Sequence, residues 1–180
     1  MPTISASPLE QFTARIFEAT GARSEEAARV AKSLVEANLM GHDSHGVIRI
    51  PEYVGRIDRK EINLASSPQT VVETESLVVI DGDWGWGQVI GREAMEVAIR
   101  KASQTGVGVV SVRNCCHIGR LGEFPSMAAE RGIRVYVVGM GTSSGGKIPL
   151  GGGFVRDETG QEVISALGGE TLRAIAEATG

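Results

Sequence analysis

The sequence predicts an α/β fold in which two N-terminal helices precede a mixed sheet that is flanked by helices. Two observations lead to this prediction. Apolar side chains recur at helical spacing over the first forty residues, and from about residue 70 onward short valine-rich runs alternate with longer helical stretches. The 180 residues are 42% hydrophobic and 22% charged, an ordinary composition for one globular domain with at most a small appendage.

Two helices are expected at the N-terminus. Ser7-Pro8-Leu9-Glu10 matches a capping box with proline at the first helical position, and the helix it opens should end by Gly21. Ser24 is expected to cap the second helix, because Glu25 and Glu26 follow it where the helix dipole favours carboxylates. The apolar residues that give this helix a buried face are Ala27, Ala31, Leu34, Val35 and Leu39.

The rest of the chain alternates between the two kinds of element. Pro51 marks either a new helix start or a break. Short apolar or alternating runs predict strands at 70–74, 76–81, 106–112 and 133–138. Longer periodic runs predict helices at 87–103, 119–131 and 170–178.

Composition excludes several classes of function. The formal net charge of −4 and the lack of basic runs interleaved with aromatic residues argue against a nucleic-acid surface. No stretch approaches 18 apolar residues and the start lacks a signal-peptide pattern, so a cytoplasmic protein without a membrane span is expected. The two cysteines, Cys115 and Cys116, are adjacent, which favours reduced, buried thiols over a disulfide or a zinc site, and no metal is expected.

The most informative segment is residues 42–50, which read HDSHGVIRI. Ser44 stands beside His45, a residue type that gives or takes a proton near neutral pH. Arg49 follows four residues later, and its planar guanidinium can hold a carboxylate through two hydrogen bonds. A helix through the segment would place His45 and Arg49 on one face. A solvated helix end that carries a histidine would show the same pattern.

A second histidine motif, NCCHIGRLGEF, spans residues 114–124. His117 follows an apolar run and precedes an expected helix, and free N–H groups at a helix start favour anions such as a cofactor phosphate. Gly119 and Gly122 permit close backbone approach to a ligand, and Arg120 adds positive charge. An ordinary junction histidine, bonded to a carbonyl, is the alternative.

Together, HDSHGVIRIPEYVGRI and DGDWGWGQVIGREAMEVAIRKASQTGVGVVSVRNCCHIGRLGEF resemble the malate/L-lactate dehydrogenase family, which includes ureidoglycolate dehydrogenase and piperideine-2-carboxylate reductase. The resemblance runs from about Leu9 to about Gly132. It implies NAD(P)-dependent hydride transfer between a nicotinamide and a small 2-hydroxy or 2-oxo acid. It also implies that the fold is incomplete, because family members are roughly twice this length.

The resemblance assigns roles to residues. Ser44 and His45 match the relay and the proton donor, and Arg49 matches the arginine that holds the substrate carboxylate. In some members the histidine that matches His117 is itself the acid/base. The implied cofactor segment is His117, Ile118, Gly119, Arg120 and Leu121. If the two motifs line one cleft, the rings of His45 and His117 must converge, whereas His42 is not expected to be catalytic.

The choice between NAD and NADP stays open. Arg113 and Arg120 could hold a 2′-phosphate, or both could face solvent.

From residue 133 onward the chain resembles instead the C-terminal part of a bacterial von Willebrand factor A domain protein, with a strand, a small hairpin and a closing helix. The chain is thus expected to be a chimera of a dehydrogenase-like portion, residues 1–132, and an A-domain-like tail, residues 133–180. The Asp-x-Ser-x-Ser metal motif of the A domain is absent from the sequence, so no metal role is carried over. A catalytically incomplete fusion remnant, or an interaction module without turnover, is the alternative to an enzyme. A truncated sheet edge favours a homodimer.

One further pattern suggests a different enzyme fold. Gly85, Gly87 and Gly91 follow an expected strand and approximate a dinucleotide-binding fingerprint with one extra residue. The next strand ends in Arg113-Asn114 rather than in the acidic residue that would hold a ribose. A tight strand-to-helix turn with Trp84 and Trp86 packed over it explains the glycines without a ligand.

Overall fold

The computed structural model describes residues 3–136, 142–157 and 159–167. The chain forms two compact units, Met1–Ile133 and Arg134–Gly180. Within the described residues, no helix is both long and apolar enough to cross a membrane.

The first unit contains α-helices and a three-stranded sheet. Its helices are α1 (Ala6–Ala19), α2 (Ser24–Leu39), α3 (Ile50–Asp58), α4 (Gly87–Thr105) and α5 (Glu123–Ala129). Two 3₁₀ turns, Asp43–His45 and Val47–Arg49, connect α2 to α3. The sheet has the order β1 (Gln69–Glu73), β2 (Leu77–Asp81), β3 (Val109–Arg113). Since β1 is antiparallel and β3 parallel to β2, the predicted α/β class with a mixed sheet is confirmed.

An aromatic cluster joins helices α1 and α3 to the start of α4. Phe17 of α1, Tyr53 of α3 and Trp86 before α4 are each at most 2% exposed. The ring centroid of Trp86 lies 5.3 Å from that of Phe17 and 6.0 Å from that of Tyr53. Such pairs add about 0.5–1.5 kcal/mol each beyond the area they bury. Ala27, Val30 and Leu34 of α2 complete this core, so the two N-terminal helices and the start of α4 pack as one body.

Three glycines lie in the turn between β2 and α4 and in the first turns of α4. A Cβ on Gly85 would lie 2.2 Å from Ser66 Oγ, one on Gly91 would lie 2.8 Å from the Phe124 ring, and one on Gly87 would lie 2.2 Å from the His117 carbonyl oxygen. Protein atoms therefore fill the space beside each glycine, and this packing explains the pattern without a dinucleotide. Trp86 packs beneath the turn as expected, but Trp84 is 55% exposed, so the prediction that both tryptophans pack there is wrong for Trp84.

Several predicted boundaries are wrong at helix starts. Helix α1 begins at Ala6 after Ser5, and α2 begins at Ser24 after Arg23, so neither Ser7 nor Ser24 is the capping residue. Helix α5 begins at Glu123 rather than Gly119, because Gly119 adopts a positive φ of 78° and the next residues form i→i+3 turns. An earlier start would also place Pro125 beyond the first turn, where its ring clashes with a carbonyl.

The strand predicted at 133–138 does not form over its described part, residues 133–136. Gly132, at φ 70°, ends the preceding helix, and the Ile133 amide donates to the Ala128 carbonyl at 3.0 Å, a typical C-terminal capping bond. The described residues contain no strand that pairs with this segment, and Tyr136 is 81% exposed.

The second unit consists of short, exposed β-ladders. Strands β5 (Pro149–Leu150) and β6 (Gly153–Phe154) form the predicted hairpin, and β4 (Gly146–Lys147) pairs with β7 (Ile164–Ser165). Glu162 forms ion pairs with Lys147 at 2.6 Å and with Arg156 at 3.3 Å. The predicted closing helix, 170–178, lies outside the described residues.

The surroundings of Gly87 and of Gly55 predict opposite effects on stability when each glycine is replaced by alanine. Gly87→Ala should lower the free energy of unfolding by about 1–3 kcal/mol, the usual cost of overpacking, since its Cβ would meet the backbone carbonyls of Cys116 and His117. Gly55→Ala, inside α3, meets only the flexible end of Arg59 and should be neutral or stabilising by up to about 1 kcal/mol. Urea denaturation of both variants checks this. If the two variants had equal free energies of unfolding, the backbone around Gly87 would have to adjust to a Cβ with little cost, contrary to this prediction.

Candidate active site

The first histidine motif is held by Asn38, near the end of α2. The Asn38 side-chain oxygen accepts a hydrogen bond from the Val47 amide at 2.9 Å, and its amide nitrogen donates to Asp43 Oδ1 at 2.5 Å. A Cβ on Gly46 would lie 2.2 Å from Asn38 Oδ1, so glycine lets the chain pass directly over this side chain. The segment consequently folds as two 3₁₀ turns rather than as one helix.

Ser44 and His45 form the predicted pair. Ser44 Oγ lies 2.9 Å from His45 Nδ1. The His45 ring is half-buried, whereas His42 is exposed. Since Nδ1 is engaged by the serine, and the described residues offer no partner to Nε2, the latter is the nitrogen left to exchange a proton with a ligand.

The two histidine motifs converge, which confirms the prediction that the rings of His45 and His117 lie close together. The ring centroids of His45 and His117 lie 5.5 Å apart, and the ring planes are inclined by 26°, a stacked arrangement. His117 stands in the loop between β3 and α5, whereas His45 stands between α2 and α3. Residues 72 positions apart in the sequence are therefore in ring contact.

His117 is also the end of a hydrogen-bond chain that begins in the core. Its Nδ1 lies 2.7 Å from the hydroxyl of Tyr53, and Gln88 Nε2 donates to the same hydroxyl at 2.8 Å. Gln88 is fully buried and Tyr53 is 2% exposed. Among the described residues, Gln88 Oε1 has no hydrogen-bond partner.

Burial and neighbouring charges shift the pKa values of these groups. Desolvation, with Arg49 and His45 nearby, lowers the pKa of His117 below its usual value and favours the neutral ring. Burial raises the pKa of Tyr53 to about 12, so its hydroxyl keeps its proton at neutral pH. The hydrogen bond from Arg49 lowers the pKa of Glu52, which stays ionised.

Arg49 is half-buried, and its side chain makes two contacts within the same segment. Its Nε donates to the Ser44 carbonyl at 2.6 Å, and its Nη1 pairs with Glu52 at 2.6 Å. The first contact joins the predicted carboxylate anchor to the serine–histidine pair. Glu52 follows Arg49 by three residues, and its carboxylate accepts a charge-assisted hydrogen bond from this guanidinium.

The predicted cofactor segment is divided between interior and surface. Ile118 lines an apolar pocket of about 530 Å³ between α4 and β3, together with Cys115 and Phe124. Gly119 is buried against Gln88, whereas Leu121 is 67% exposed. A Cβ on Gly122 would lie 2.4 Å from an Arg120 nitrogen, so the Arg120 side chain folds over that glycine.

Arg113, the other candidate for a 2′-phosphate, pairs with Asp81 at 2.9 Å.

The cysteines before His117 are free thiols. Cys116 is buried with its sulfur 3.1 Å from the Trp84 carbonyl. Burial raises the pKa of Cys115 to about 11. Over the described ranges, no group of three or more histidine, cysteine, aspartate or glutamate side chains is arranged to hold a metal ion.

Reasoning from the sequence missed three residues of this site: Asn38, Tyr53 and Gln88. Tyr53 had a usable signal, since it follows Arg49 by four residues and His45 by eight, both helical spacings. Asn38 and Gln88 had none, because their partners lie on other elements and only the tertiary fold brings them together.

Comparison with known proteins places the chain among dehydrogenases. The chain is 42% identical over 130 residues to malate dehydrogenase of Pyrococcus abyssi, covering 72% of this chain and 36% of the relative. It is 39% identical over 128 residues to hydroxycarboxylate dehydrogenase B of Escherichia coli K12, covering 71% and 36%. The solved structure of malate dehydrogenase from Pyrococcus horikoshii superposes with a TM-score of 0.71 at 40% identity, covering 73% of this chain and 38% of that one.

The chain thus spans little more than a third of the length of these relatives. A sequence model of the malate/L-lactate dehydrogenase family matches residues 4–152, most of the chain and all elements of the first unit. Since the match includes both histidine motifs and Arg49, the chain belongs to the malate/L-lactate dehydrogenase family.

Proposed function

We propose that this chain supplies the acid/base and carboxylate-binding groups of a nicotinamide-dependent dehydrogenase that interconverts small 2-hydroxy and 2-oxo acids. The stacked contact of His45 and His117, at 5.5 Å, is the observation that carries the proposal. It gathers two proton-transfer groups within reach of the arginine that can hold a carboxylate. The relatives named malate dehydrogenase and hydroxycarboxylate dehydrogenase indicate the substrate class.

In the proposed reaction, Arg49 orients the substrate through its carboxylate, either beside Glu52 or in its place. His45, polarised by Ser44, gives a proton from Nε2 to the carbonyl oxygen during reduction and takes it back during oxidation. His117, the other ring of the stack, is proposed to contact the same oxygen through its own Nε2. A bound nicotinamide supplies or accepts the hydride.

The described residues fit the reacting end of such a cofactor better than its phosphates. His117 and the segment that follows it, Ile118 to Leu121, are the groups we propose to contact the nicotinamide half. The glycine turn before α4 is filled by protein atoms and offers no phosphate cradle. Arg120 is the remaining candidate for a 2′-phosphate, since Arg113 is paired with Asp81, and the choice between NAD and NADP rests on it.

The organisation of the rest of the chain is also a proposal. We propose that residues 133–180 form an A-domain-like tail that contributes nothing to chemistry, even though the match of the dehydrogenase family model continues to residue 152. A homodimer that pairs exposed sheet edges, and a cytoplasmic location, stay predictions from the sequence. A catalytically incomplete fusion remnant, or an interaction module without turnover, is the competing function.

Titration with NADH, followed by nicotinamide fluorescence, separates the enzyme from the remnant. Saturable binding in the micromolar range, with oxidation of NADH on addition of oxaloacetate, is the expected result. No binding up to millimolar NADH would favour the remnant. A chain truncated after Gly139 should bind equally well. Loss of binding in a truncated chain that keeps its circular dichroism spectrum would place the tail within the site.

Lysine should not replace Arg49. Arg49→Lys keeps the charge but loses the planar pair of donors and the bond to the Ser44 carbonyl. The kcat/KM for a 2-oxo acid should therefore fall roughly 30-fold, which corresponds to about 2 kcal/mol of lost binding free energy. Arg59→Lys is the matched control, because Arg59 also pairs with a glutamate but lies exposed at the end of α3. An Arg49→Lys variant as active as the control would refute the anchoring role.

A further inference from the structure

We infer that Tyr53 is a positioning residue that fixes the tautomer of His117, leaving Nδ1 unprotonated and the ring proton on Nε2, the nitrogen proposed above to contact the substrate. The inference deepens the proposed function and rests on it for its catalytic meaning. The protonation pattern itself is a property of the unliganded chain.

The hydrogen-bond chain fixes the direction of each donor. Gln88 Nε2 is an amide N–H donor, so the Tyr53 oxygen accepts from it at 2.8 Å. The tyrosine has a single proton, which is then free to be donated to His117 Nδ1 at 2.7 Å. A neutral imidazole that accepts at Nδ1 carries its N–H at Nε2.

The neighbouring residues keep the His117 ring neutral and the Tyr53 hydroxyl protonated, as this direction of hydrogen bonding requires. Around His117 stand the cationic groups Arg49 and Arg56, the second histidine His45, and one carboxylate, Glu52, and the ring is held mainly neutral by burial. The Tyr53 hydroxyl keeps its proton because its ring is enclosed by Phe17 and Trp86. The aromatic cluster also prevents the tyrosine from turning away from the histidine.

This arrangement gives the two histidines different duties. Ser44 engages His45 at an exposed edge, where a hydroxyl can act as donor or acceptor. Tyr53 engages His117 from a fully packed interior, where its role is fixed by Gln88. His117 thereby presents a preoriented N–H that stabilises negative charge as it develops on the carbonyl oxygen during reduction.

Long-range ¹H–¹⁵N NMR on the full, uniformly labelled chain reads the tautomer directly. The chain has three histidines, so His42→Asn and His45→Asn variants complete the assignment. At pH 8 the parent should show Nδ1 of His117 as the unprotonated nitrogen and Nε2 as the protonated one. If the hydrogen bonds ran in the opposite direction, the Gln88 amide oxygen would accept from Tyr53, and the ring proton of His117 would lie on Nδ1. That result would overturn the inference without any variant.

Tyr53→Phe keeps the buried ring and removes only the hydroxyl. His117 should then populate both tautomers, and its pKa should rise by about 0.5–1 unit, since the lost bond favoured the neutral ring. Tyr136→Phe, at the other tyrosine of the sequence, removes an exposed hydroxyl and should leave the His117 spectrum unchanged. An unchanged tautomer and pKa in Tyr53→Phe would contradict the inference.

Enzyme assays distinguish this inference from the proposed function. If the chain oxidises NADH, Tyr53→Phe should lower kcat about tenfold with little change in KM, because Tyr53 does not touch the substrate. A parent chain with the expected tautomer but no NADH binding would overturn the proposed function and support the hydrogen-bond assignment. A rise in KM alone, with kcat unchanged, would contradict the positioning role.

Discussion

The contact between the Tyr53 ring and the aromatic core is the constraint on which the rest of the site depends. Tyr53 packs against Phe17 and Trp86 with its ring and reaches His117 with its hydroxyl. The same side chain is therefore part of the hydrophobic core and part of the polar site. Because interiors are close-packed, a shift of α1 or of the turn before α4 would move the hydroxyl relative to the histidine. Stability and chemistry are coupled through one residue.

Local sequence patterns predicted those parts of the fold whose causes are local. The amphipathic face of α2 and the valine-rich runs of β2 and β3 depend on neighbours along the chain, and all three elements are present. The start of α5 was misplaced because Gly119 and Pro125 impose backbone conformations that hydrophobic periodicity does not register. The segment 133–136 is apolar enough for a strand, but a strand also needs a paired neighbour, which no sequence pattern guarantees.

The residues of the site also fall into a group that local sequence patterns predicted and a group that they did not. Ser44, His45 and Arg49 are close in sequence, and their spacing was enough to predict chemistry. The tyrosine and the glutamine that support His117 come from α3 and α4, so their hydrogen bonds span 64 and 35 residues. Family resemblance supplied the pairing of the two histidine motifs, which spacing alone leaves open. Residues that hold others in place carry weaker local signals than residues that react, because their role is defined by three-dimensional contacts.

Cys115 is half-buried and Cys116 is buried beside His117, and their burial affects how easily these thiols react. Thiolate is the form that reacts with peroxides and alkylating agents, and burial raises the pKa of Cys115 to about 11, so this thiol stays protonated at neutral pH. Cys116 is shielded further by its contacts with backbone carbonyls. Electrophiles that inactivate exposed cysteine enzymes would thus attack this loop slowly. We therefore expect the packing around Cys115 and Cys116 to slow the oxidation of both thiols in the segment that carries His117.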